Sequence, residues 1–317
     1  QQDIQEHQPI LLKDNFYKAK VIKVNSTKLI EEFGDTFIQQ NVLVEFNSDN
    51  DTVEKSEVFY EYDQTQIQRK LKKGNKVILG AQKFGDEIQY YINDVYRLNV
   101  LALVFLLFFL ITLVIIKQQA LRAIGSLLLS FVVIVQYLVP TILNGGSPFT
   151  TSLIAALGIS IISLFWAHGI NKRTTIAFIS TIISVVLALV ISYVFVHYSK
   201  LTGLGTEEAF FLQSLAIGKI NLQGLLLGGI IIGTLGVLDD ITTAQAATVQ
   251  EIYRANNKLS QKQLYIRGLR VGREHIISLV NTLVLAYTSV SLPLFLLFSV
   301  SKQPAWVVFN SEIVVEE

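Results

Sequence analysis

The sequence predicts an α-helical polytopic membrane bundle of about six transmembrane helices, preceded by a small extracytoplasmic β-barrel-like domain. Three observations predict it. Hydrophobic residues make up 51% of the chain and charged residues only 16%, too apolar a balance for a protein dissolved in water. Most of the acidic residues lie in residues 1–97, whereas residues 98–300 contain long runs without charge. Lysine and arginine also concentrate in every second loop between those runs. The implied organisation is a β-rich domain at 1–97, a helical bundle at 98–300 and a tail at 301–317.

Residues 17–97 read as strands because runs of β-formers stand between turn signals. Tyr17 to Val24, Gln40 to Phe46 and Lys76 to Gly80 are such runs; Asn47 to Asp51 and Lys73-Gly74-Asn75 are such turns. A small barrel closes many short strands without leaving an edge. Its scattered Lys and Asp residues read as a solvated surface.

Crossing a hydrocarbon core takes about 20 mostly apolar residues. The stretches 98–116, 123–140, 150–168, 174–196, 222–240 and 275–299 qualify or come close. Breaks separate them at Lys117 to Arg122, at Pro140 to Pro148, at Gly169 to Arg173, along His197 to Asn221, and after Asp240. One set of loops carries Lys117, Arg122, Lys172, Arg173, Arg254, Lys258, Lys262, Arg267, Arg270 and Arg273. The alternate set carries only Lys200, Lys219 and Lys302. Basic residues are retained on the cytoplasmic side, so the first set is expected inside, and the β-rich domain, the 197–221 loop and the tail outside.

The net charge of +1 excludes the broad basic field with which nucleic-acid binders neutralise phosphates. With no cysteine there is no disulfide and no thiolate metal site, and neither a metal nor a cofactor is expected. The chain also lacks methionine altogether, which reads as a fragment or processed form.

The runs Gly233 to Thr242, Gly272-Arg273-Glu274-His275-Ile276, Asn281 to Tyr287 and Leu292-Pro293-Leu294 resemble those of the YibE/F family. The resemblance extends to Lys73-Gly74-Asn75-Lys76-Val77, Tyr96-Arg97, His168 to Lys172 and Asn310-Ser311-Glu312. It implies a multispanning protein of the bacterial cytoplasmic membrane, with a span before the barrel and further apolar sequence after the tail. It implies no activity. A local similarity links Gly236 to Ile241 with transporters of the resistance-nodulation-division type, whose central helix carries a glycine-rich run ending in Asp-Asp.

Asp239 and Asp240 are the candidate ion- or proton-coupling acids. An ionised residue at the centre of a span costs about 2.5–3.5 kcal/mol even on permissive insertion scales, so such residues mark function. No charge follows the pair until Glu251, so the helix either continues and keeps both acids in the bilayer or ends at Leu238 and leaves them in interfacial water. His275 opens the last span and shares a helical stripe with Ser278 and Thr282, while Asn281 faces another side. That stripe is expected to meet the acids, with imidazole's ordinary pKa of about 6.5 suited to a proton relay. Glu251, Ser278, Asn281 and Thr282 complete the polar set. Gly224 and Gly228, then Gly229 and Gly233, lie four apart, and with Gly236 they are expected to let another helix approach closely.

Glu207, Glu208, Phe210, Phe211 and Leu212 read as a short amphipathic helix on the outer leaflet, and the basic stretch 250–274 as a cytoplasmic connection at the headgroups. The expected function is transport of a small solute or ion, coupled at the acid pair. The alternative is a scaffold or receptor whose β-domain binds an envelope partner. The expected partners are the lipid bilayer, the transported species, and a second membrane subunit or an envelope protein. Enzyme chemistry finds no support: there is no His-Glu-x-x-His, no nucleophile elbow, and the acids are adjacent on one helix rather than shared between two.

Overall fold

The computed structural model describes residues 15–32, 35–48, 52–84, 87–214 and 220–316. Lys219 and part of the turn expected at Asn47 to Asp51 lie outside the described residues. The chain divides into two compact units, with the divide after Ile111.

The first unit holds an antiparallel sheet of five strands: β1 (Asn15–Glu32), β2 (Asp35–Asn47), β3 (Val53–Asp63), β4 (Lys76–Phe84) and β5 (Glu87–Val95). Their order is β3-β2-β1-β4-β5. The expected barrel is corrected to an open sheet, because no ladder joins β3 to β5 among the described residues. The reason lies in β1. Its residues Asn15 to Lys20 pair with β4, while Ala19 to Glu32 pair with β2, so the two hairpins attach to different parts of one long strand. Side chains fill the seam that hydrogen bonds do not: Phe46 packs on Tyr90 at 4.9 Å between ring centres, and the Tyr90 hydroxyl donates to Glu54 at 3.5 Å.

Every second residue of the strands points into the core, as the pleat dictates. Val42, Val44 and Phe46, then Val58, Tyr60 and Tyr62, then Val77 and Leu79, are buried together with Val21. Among them lies Gln40, 0% exposed. Its amide accepts from the Leu71 backbone N–H at 2.8 Å and donates to the Leu71 carbonyl at 3.3 Å, which fixes the connection between β3 and β4 over the core. Gly80 is required because the Tyr91 ring occupies the space a side chain would take.

The helices are α1 (Leu98–Ile116), α2 (Gln118–Val133), α3 (Val139–Leu143), α4 (Pro148–Ile161), α5 (Lys172–Tyr198), α6 (Glu207–Ser214), α7 (Leu222–Ala255), α8 (Gln261–Val290), α9 (Leu292–Ser301), α10 (Ala305–Phe309) and α11 (Glu312–Glu316). Among the described residues, five helical segments are long and apolar enough to cross a membrane, or six if α8 and α9 count as one. Those two are bent by 61° at Ser291, where the sequence reading draws a single straight span at 275–299. Pro293 in the first turn of α9 explains the break, since it has no N–H to continue the ladder of α8. A π turn at Ile134–Leu138 joins α2 to α3 just before Pro140, for the same reason.

The helix expected at 222–240 is longer than its sequence range. With no breaker after the acids, α7 runs unbroken for 34 residues, about 51 Å at the standard rise. Asn221 caps its start by accepting from the Gly224 N–H at 3.0 Å. The basic stretch at 250–274 is therefore mostly helix: α7 ends at Ala255 and α8 starts at Gln261, behind a capping box formed by Ser260 and Gln263. The tail is held in place, since Thr202 donates through its N–H and hydroxyl to Glu312, and the N–H groups of Gly203 and Gly205 donate to Glu316, each at 2.8 Å.

Candidate functional site

Helix α7 packs against α4 and α5 along one face. Ile231 and Leu235 are buried there with Ala156 and Val185. Asp239 follows Leu235 by four residues, so the helical repeat carries it onto the same buried face. Asp240 is turned about 100° away and is exposed. Two adjacent acids thus occupy opposite environments.

The Asp239 side chain is 7% exposed. Ser160 of α4 donates to its Oδ1 at 3.4 Å. The hydroxyls of Ser163 and Thr181 face the same carboxylate. Ser163 sits in a π turn, Ile162–Trp166, that follows α4 directly; such turns recur at functional sites. The Thr181 hydroxyl oxygen, 0% exposed, lies 2.6 Å from that of Thr242. Thr242 is also 3.2 Å from the backbone carbonyl of Asp239. A hydroxyl has one proton to give and two lone pairs to accept with. Thr242 can give its proton to Thr181 or to the carbonyl, and Thr181 can give its own to the carboxylate or to Thr242. No Lys, Arg or His forms an ion pair with Asp239 or Asp240 among the described residues.

Thr242 also lines a cleft of about 510 Å³ between the start of α5 and the second half of α7. Lys172, Arg173 and Gln250 lie along it, with Arg173 donating to Gln250 at 3.4 Å. Thr242 thus joins the Thr181 hydroxyl, which faces the buried carboxylate, to the cleft.

The other expected site residues fall elsewhere. His275 is half-buried, and Ser278, Asn281 and Thr282 are exposed. The Thr282 hydroxyl bonds the Ser278 carbonyl of its own helix at 3.0 Å. No hydrogen bond or ion pair links these four to Asp239 or Asp240 among the described residues. Glu251 is exposed and paired with Arg254 at 2.7 Å.

Close helix approach at the glycines holds only at Gly228, where an added Cβ would collide with Ser152 of α4. At Gly224 the nearest atoms belong to its own cap, Asn221, and Gly229, Gly233 and Gly236 face open space. Gly229 and Gly233 instead floor a cleft of about 500 Å³ that Tyr287, Ser291 and Glu316 also line. The glycine pair that does close two helices is on α8: a Cβ at Gly268 would meet Val249, and one at Gly272 would meet Gln245, whose amide donates to the Gly268 carbonyl at 2.9 Å.

The sequence assigns no site role to Ser160, Ser163, Thr181 or Thr242. The signal for the first three was small polar residues midway along apolar spans on two different helices. The signal for Gly268 and Gly272 was the same four-residue spacing noted on α7.

A protein of five to six long apolar helices with a buried carboxylate facing hydroxyls is the class these features define. The chain belongs to the YibE/F family: the profile described as YibE/F-like protein matches residues 104–317. The β-rich unit up to Val95 lies ahead of that match. No curated protein and no solved structure matches the chain. Family membership and the apolar helices are consistent with a membrane protein.

Proposed function

We propose that the protein is a permease of the bacterial cytoplasmic membrane, coupled to an ion or proton at Asp239, with its β-rich domain outside. One observation carries this reading: a carboxylate midway along α7, buried without a counter-charge, that accepts from the Ser160 hydroxyl and faces those of Ser163 and Thr181. An Arg or Lys partner would hold the acid ionised. Hydroxyls serve either state, donating to the carboxylate and accepting from the protonated acid, with only a rotation between them. Thr181 and Thr242 supply the route by which a proton or small cation passes between Asp239 and the cleft. The contact of the tail with residues 202–205 puts both on one side of the bundle, in keeping with the alternation of basic loops.

The test is flux in proteoliposomes carrying a trapped pH indicator, after an imposed pH step. Wild-type protein and Asp240→Asn acidify the lumen, whereas Asp239→Asn does not, although it elutes and melts like wild type. Equal rates for Asp239→Asn and wild type would sink the reading.

A second reading has its own support. Leu29, Val53 and Phe59 are exposed on the sheet, which suits a β-domain that docks an envelope protein. Binding by the full chain that persists in Asp239→Asn and is lost in Phe59→Ser would favour it.

A further inference from the structure

We infer that the cleft between α5 and α7 is a binding site for an anionic phospholipid, its phosphate held by Lys172 and Arg173 and one acyl chain laid along the cleft wall. The inference goes beyond the transport reading and does not depend on it.

Charge and shape argue together. Lys172 and Arg173 stand at the head of the cleft, and no carboxylate lies within 4.0 Å of either among the described residues. Asp240 makes no ion pair with either cation. Arg173 makes one long hydrogen bond, to the neutral Gln250, which leaves the rest of its fork of donors for a phosphate. Below the two cations the wall turns apolar, with Ile176 and Ala177 from α5 and Ile241, Ala246 and Val249 from α7. A free phosphate has no use for such a wall, and a neutral lipid none for two unpaired cations. The volume, about 510 Å³, falls within the range of ligand sites. Both flanking helices are long and apolar enough to cross a membrane, so a lipid reaches the cleft sideways from its leaflet. Basic pockets between spans take lipid headgroups by this combination of charge and apolar wall.

The test is native mass spectrometry of the full chain, exchanged from detergent into mixtures of phosphatidylglycerol and phosphatidylcholine with identical acyl chains. Wild type retains phosphatidylglycerol at least about tenfold over phosphatidylcholine, a difference of about 1.4 kcal/mol. Lys172→Gln/Arg173→Gln loses that preference, whereas Arg267→Gln/Arg270→Gln, with the same loss of charge on α8, keeps it. Ala246→Phe, which fills the cleft and leaves both cations in place, loses the bound lipid. Equal retention of the two lipids by wild type, displacement by millimolar glycerol phosphate, or unchanged retention in Ala246→Phe would each overturn the inference.

Discussion

Gln40 in the sheet and Asp239 in the helical unit pose the same physical problem and meet opposite solutions. Both are buried polar side chains surrounded by apolar ones, and a buried polar group without partners is costly. Gln40 places its two shorter hydrogen bonds on the N–H and carbonyl of Leu71 and a longer one, at 3.4 Å, on the Thr27 hydroxyl, so fixed backbone groups set its orientation and it acts as a clasp. Asp239 accepts from the Ser160 hydroxyl of α4 and faces those of Ser163 in the π turn and Thr181 of α5, each able to turn. Fixed partners make a buried group structural; rotatable partners let it change state. That difference, more than burial itself, separates a functional carboxylate from a satisfied core residue.

Asp239→Asn keeps the size and polarity but cannot titrate, so proton flux should fall by more than about 100-fold, the scale on which removing a proton-transfer group acts, with the melting temperature unchanged. Gln40→Leu should do the reverse. It leaves the Leu71 N–H and carbonyl unpaired, which costs about 1–3 kcal/mol and speeds hydrogen exchange at Leu71, with flux intact. If Gln40→Leu impaired flux as deeply as Asp239→Asn, the division into clasp and switch would be wrong.

Two glycines sharpen the contrast on α7 itself. Gly228→Ala forces a methyl into Ser152 and should lower stability by about 1–3 kcal/mol, read as a drop in melting temperature in detergent. Gly233→Ala meets open space and should cost nothing through packing. Equal losses would mean that α8 or another helix covers Gly233 more closely than the cleft beside it allows.

The smallest effect concerns the tail. The Thr202 hydroxyl holds Glu312 below the ordinary glutamate range, and burial pushes Glu316 above it. Glu312 contributes fully above the ordinary pKa, and its contribution is lost as pH falls through its lowered value. Glu316 contributes fully below the ordinary pKa, and its contribution is lost as pH rises through its raised value. Docking of α11 should therefore be tightest near the ordinary glutamate pKa of about 4.3 and loosen in both directions. Trp306 fluorescence in a Trp166→Phe background reads this, and a monotonic response would contradict it.

The alternation of Val42, Val44 and Phe46 and the charge-free spans were legible from the sequence, because periodicity and length are local properties. So was Asp239, since a charge in an apolar run needs no fold to be noticed. The open sheet was not, because closure depends on whether β3 and β5 meet in register, which the division of β1 between two partners decides. The partners of Asp239 were hidden for the same reason. Ser160 and Thr181 look like ordinary small residues in their own helices, and only the packing of α4 and α5 on α7 gathers them. His275 shares a stripe with Ser278 and Thr282, yet the stripe says nothing about which neighbour it faces.

Infrared difference spectroscopy across a pH step tests most directly whether Asp239 changes protonation state among its hydroxyls. A carboxyl carbonyl band should appear on acidification in wild type and Asp240→Asn, shift in Ser160→Ala as one hydrogen bond is lost, and be absent from Asp239→Asn. A band unchanged in Asp239→Asn, or no titrating band in wild type, would contradict it.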